Sequence, residues 1–84
     1  MLEIGNRLKT FCPGEGTFII EVIKVSPPLS GYTVWAKDFR GGYYERINEW
    51  RWMGPRNQIY FVLGPNNEIL DPKMRESYQV YKKD

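Results

Sequence analysis

Histidine is absent from the 84 residues, and cysteine occurs once, at Cys12. Without an imidazole there is no Ser–His or Cys–His nucleophile pair and no histidine switch near neutral pH. One thiol cannot form an intramolecular disulfide, and the ligand set of a structural zinc site is missing. Cys12 precedes Pro13, and Lys9 is the only basic residue close to it in sequence, so packing is the better reading than a reactive thiol. No apolar run approaches the ~18 residues of a membrane span, and the N-terminus lacks the basic and apolar regions of a secretory leader. A single free thiol and no leader point to the cytoplasm. Met1 opens the chain without a linker or tail, as expected of a stand-alone small protein.

Charge of one sign is also scarce. Residues 1–42 carry five basic and four acidic side chains, and residues 43–84 carry seven and six. A non-specific nucleic-acid binder needs a basic stripe that neutralises several phosphates, and here only local patches exist, from Arg40 to Arg56 and at Lys73, Arg75, Lys82 and Lys83.

What is abundant is turn formers and aromatics. Six prolines and eight glycines fall in short clusters between apolar runs, the pattern of a turn-rich folded domain rather than a disordered chain. Residues 1–84 are expected to form one domain of marginal stability. Thr17 to Val25 is dense in β-branched residues, with Phe18, Ile20 and Val22 on one side and Ile19, Ile23 and Val25 on the other. Ser26 to Gly31 reverses the chain, and Tyr32 to Lys37 returns as the second half of a hairpin. Further strands are expected over Arg7 to Phe11, Tyr43 to Ile47 and Gln58 to Leu63, with Glu68 to Leu70 completing a terminal hairpin. Ile47 to Met53 fits either period, since Tyr44, Trp50 and Trp52 share a strand face and Tyr43, Ile47 and Trp50 a helical one, and a strand or single turn is the favoured reading. Asp71-Pro72 predicts the entry of a short helix to Ser77, and Tyr78 to Asp84 a final edge strand. Unpaired edges and exposed aromatics make a second copy a candidate partner.

The fold expectation is all-β and mainly antiparallel, a small barrel or curled sheet with a C-terminal hairpin and one short helix. Gly5 opening a strand, Pro13-Gly14-Glu15-Gly16-Thr17 at the loop and paired strands ending in Asp38 resemble the Src-homology-3-like barrels of the KOW and Tudor kind across residues 5–53. Residues 58–84 have no counterpart in the minimal barrel. The Tudor resemblance implies an aromatic cage for a methylated lysine or arginine, drawn from Tyr32, Trp35, Phe39, Tyr43 and Tyr44 with Asp38 as countercharge. Strand alternation counts against it, because Tyr32 and Trp35 face opposite ways.

One window concentrates recognition chemistry. Arg40, Arg46, Arg51 and Arg56 interleave with Tyr43, Tyr44, Trp50 and Trp52, while Glu45 and Glu49 reduce the charge to +2. Guanidinium groups bind carboxylates and phosphates bidentately, and tryptophan anchors interfaces or stacks on bases. The same residues can equally supply the core of a domain that has no staple. Gly14, Gly16, Gly41 and Gly42 read as turn residues, since Gly16 leads into a strand rather than the helix a phosphate loop requires. Glu15, Asp38, Glu45, Glu49 and Asp71 include no spacing that demands a catalytic pair. The expected function is therefore non-catalytic and free of cofactor or metal: a small regulator or inhibitor that occupies a protein surface, with Trp50 and Trp52 as anchors and Arg46 and Arg51 around them. The alternative is a single-stranded nucleic-acid or nucleotide binder.

Overall fold

A computed structural model describes residues 2–26 and 33–76. The strands are β1 (Arg7–Cys12), β2 (Gly16–Val25), β3 (Val34–Lys37), β4 (Tyr43–Asn48), β5 (Arg51–Met53) and β6 (Ile59–Val62). They follow one another around a closed barrel in sequence order, and every neighbouring pair is antiparallel. Closure comes from β1 and β6, where Thr10 faces Val62 and Phe11 faces Phe61. Gln58 to Leu63 is thus the closing strand of the barrel rather than part of an appendage. Within the described residues each strand of the ring is therefore paired on both sides.

Turns are local consequences of residue type. Between β1 and β2, Gly14 and Gly16 hold φ of +89° and +88°, a region open mainly to glycine. Trp50 falls in the β4–β5 turn, so Ile47 to Met53 resolves into two strand ends around a turn. A 3-10 turn at Pro55–Asn57 links β5 to β6.

Alternation sends Ile20, Val22, Val34, Ala36, Tyr44, Trp52, Tyr60 and Val62 inward as one core with Cys12. Fully burying a large apolar side chain contributes about 1.5–3 kcal/mol, so Trp52, Tyr44 and Tyr60 carry much of this small fold. Val25, expected beside Ile19 and Ile23, instead packs on the core. A bulge between Val22 and Lys24 inserts one residue into β2 and reverses the phase beyond it.

A second cluster lies outside the barrel wall. Phe61, Leu63 and Ile69 pack with Phe11, Ile59 and Met74, so the outer side of β1 and β6 is covered by the chain that follows β6. The Leu63–Ile69 bridge forms the expected terminal hairpin, and a helix spans 72–76. Asp71 caps it, accepting from the backbone N–H of Lys73 at 3.0 Å, and also accepts from Arg51 Nε at 2.6 Å. The expected edge strand at 78–84 lies outside the described residues. Among the described residues, no helix is long and apolar enough to cross a membrane.

Candidate functional site

In a barrel of sequential strands, alternate turns gather at one end. The β1–β2, β3–β4 and β5–β6 turns therefore meet, and they order two carboxylates. Asp38 accepts from the backbone N–H of Arg40 at 2.8 Å, the backbone N–H of Gly42 at 2.9 Å and the Tyr44 hydroxyl at 2.7 Å. Burial works to raise the pKa of Asp38, but these three donors outweigh it and hold the carboxyl below its ordinary value. Tyr60 donates to Glu15 at 2.7 Å, and Arg56 lies 3.6 Å from the same carboxylate. Desolvation first, and then the bond to Glu15, push the Tyr60 phenol up to about 12, so it stays a donor at neutral pH. The two tyrosine rings meet edge to face at 5.0 Å. Both carboxylates are committed to holding turns onto the core.

The eight residues of the Arg40–Arg56 window separate into three places. Tyr44 and Trp52 are interior, with 1% and 0% exposure, which corrects their expected place on a recognition face. Alternation on β4 and β5 required this, because both belong to the inward phase. Arg40, Tyr43 and Arg56 stand at the Asp38 end of the barrel. Arg46, Trp50 and Arg51 stand at the other, where Arg51 is engaged with Asp71. The window is therefore not one surface.

The cage residues do not converge either. Tyr44 points inward to Asp38, while Trp35 points outward, donating from Nε1 to Glu45 at 3.1 Å beneath Lys24, whose Nζ is 5.1 Å from its ring. Tyr32 lies outside the described residues. Cys12 is buried, with its thiol 3.0 Å from Gln58 Oε1, and burial followed by the nearby Glu15 pushes its pKa up, away from the reactive thiolate. Among the described residues, no group of acidic or cysteine side chains could hold a metal ion.

The structure instead assembles an apolar surface on the outer wall of β2, β3 and β4. Phe39 is 83% exposed, Tyr43 66%, Ile19 46% and Ile23 38%. Ile19, Ile23 and Phe39 line one groove of about 450 Å³ with Arg7, Glu21, Lys37 and Asp38. Register places Arg7, Glu21, Lys37 and Tyr43 in a row across four strands. Arg7 Nε pairs with Glu21 at 3.2 Å, and among the described residues no carboxylate lies in ion-pair range of Lys37, although Asp38 lines the same groove. The Arg40 guanidinium rests 5.3 Å from the Phe18 ring and 5.4 Å from Phe39. Both Arg40 and Tyr43 were singled out by sequence, whereas Ile19, Ile23 and Phe39 were not assigned to the partner-binding surface. Their signal was present: β2 is apolar on both sides, so its outer side also has something to bury.

No protein-family model matches the chain, and comparison with curated proteins and with solved structures gives no match.

Proposed function

We propose that this chain is a non-catalytic binding module that acts by occupying a protein partner's surface through the outer wall of β2, β3 and β4. The observation that carries the reading is an asymmetry. Apolar side chains on the outer wall of β1 and β6 are covered by residues 63–76, while Ile19, Ile23, Phe39 and Tyr43 on the other side have no such cover among the described residues. Contiguous exposed apolar groups rimmed by polar ones mark interaction sites. Arg7 and Lys37 are matched by Glu21 and Asp38 along the groove, with Arg40 beside Phe39, so the fitting partner presents an apolar ridge with polar groups of both signs at its edges. Occupancy suits a small regulator or inhibitor. The Src-homology-3-like resemblance is supported in its strand pairing, while its KOW or Tudor assignment rests on glycine placement alone. A buried free thiol fits a reducing compartment such as the cytoplasm.

Nucleic-acid binding draws less support. Arg51 and Arg56 face carboxylates, and the window's arginines occupy both ends of the barrel, so they do not form the stripe that tracks a phosphate backbone. The test is capture of partners by the tagged chain, compared with an Ile19→Lys, Phe39→Ser double variant. Loss of a specific protein from the variant, with its thermal midpoint unchanged, is expected. Identical partners on both forms would remove this wall as the contact surface.

A further inference from the structure

The uncovered outer wall carries a pattern of charge that is complementary to itself. Across four strands its central row reads Arg7, Glu21, Lys37 and Tyr43: a cation, an anion, a cation and a π face. Laid against its own reverse, the row sets Glu21 opposite Lys37, and Arg7 opposite the negative face of the Tyr43 ring. The apolar groups beside the row obey the same exchange. Because β2 and β3 are antiparallel, Ile19 and Phe39 both lie on the side of the row toward the β3–β4 turn. Ile23 and Trp35 lie on the other side, and Ile23 stays on the groove wall despite the bulge beside it. Exchanging β2 for β3 therefore sets Ile19 against Phe39 and Ile23 against Trp35.

One symmetry operation reverses the row while turning one wall to face another. It is a twofold axis in the plane of contact, parallel to the strands and between β2 and β3. We propose that the occupant of this wall is a second copy of the chain, seated by that axis. The proposal rests on the reading of the wall as a contact surface and names its partner. Two Glu21–Lys37 contacts flank the axis, and two Arg7–Tyr43 contacts lie outside them. The central charges are available for this. Both side chains are exposed, Arg7 engages only Oε1 of Glu21, and Lys37 makes no ion pair among the described residues. The strands of the two copies run in the same direction, so the walls stack as aligned sheets do, with no strand edge involved. A barrel wall is convex and meets its mate over a limited area, so the pair is expected to be weak and reversible. Self-pairing covers Phe39 and thus competes with capture of another protein.

Sedimentation equilibrium on the purified chain reads the pairing directly. Mass is expected to rise from one chain toward two between about 10 µM and 1 mM. Lys37→Glu and Glu21→Lys each put like charges in both central contacts, and each is expected to weaken pairing by about tenfold or more. Both positions are exposed, so the urea midpoint of each variant should stay close to that of the wild type. An equimolar mixture of the two variants again puts opposite charges in both contacts, and is expected to pair as tightly as the wild type. A wild-type chain that stays monomeric to about 1 mM, pairing unchanged by Lys37→Glu, or a mixture no tighter than either variant alone would each overturn the proposal. If the first result accompanies loss of a captured protein from the Ile19→Lys, Phe39→Ser variant, the wall is a contact surface and only the second copy is the wrong occupant.

Discussion

Asp38 shows how one residue fixes a turn and a core tyrosine together. Its folded pKa lies below the unfolded value, so it contributes stability above about pH 4 that is lost as pH falls through the folded value. Tyr44→Phe removes the one side-chain donor and leaves a buried carboxylate oxygen unpaired. It is expected to cost about 1–3 kcal/mol at pH 7 in urea unfolding, and the deficit should shrink below pH 4 as Asp38 takes up a proton. A deficit independent of pH would mean that the charge of Asp38 is not what Tyr44 serves. Cys12 gives a second expectation at this scale. Because burial and Glu15 both disfavour its thiolate, iodoacetamide should label it far more slowly in the native chain than in urea.

At the scale of elements, close approach explains residues that sequence alone treats as generic turn formers. A Cβ at Gly54 would overlap the rings of Tyr60 and Tyr44. Gly54→Ala is therefore expected to destabilise by about 1–3 kcal/mol through overpacking, read as a lowered urea midpoint with unchanged slope. Asp71 fastens the covering segment by capping the 72–76 helix and engaging Arg51. Asp71→Ala should raise hydrogen exchange over 63–76 while β2 and β3 stay protected. The strands from Arg7 to Val62 other than β5 were legible because β-branched and aromatic runs alternate between glycine and proline turns, whereas Ile47 to Met53 fitted two periods. The Asp71-Pro72 helix entry was legible from its capping chemistry. The β2 bulge was not, since an inserted residue leaves no mark in composition and yet turned Val25 inward. Nor could the sequence say that Gln58 to Leu63 closes the ring, because the β1–β6 pairing joins residues about fifty positions apart.

For the whole molecule, the decisive quantity is how much ring-bearing and aliphatic surface a six-stranded barrel can enclose. The sequence located the surplus between Arg40 and Arg56, but strand phase placed Tyr44 and Trp52 inside and divided the arginines between the two ends. Arg40 and Tyr43 remain outside, joined by Ile19 and Ile23 of β2 and by Phe39 in the β3–β4 turn. Because these side chains contribute little to the core, Phe39→Ser should leave the urea midpoint nearly unchanged, within about 0.5 kcal/mol, while improving solubility. Photo-crosslinking in the native cell tests the recognition wall most directly, with benzoylphenylalanine placed at position 39 in one form and at position 50, on the opposite mouth, in another. A discrete protein adduct from position 39 and none from position 50 is expected, and an adduct from position 50 with none from position 39 would contradict the account.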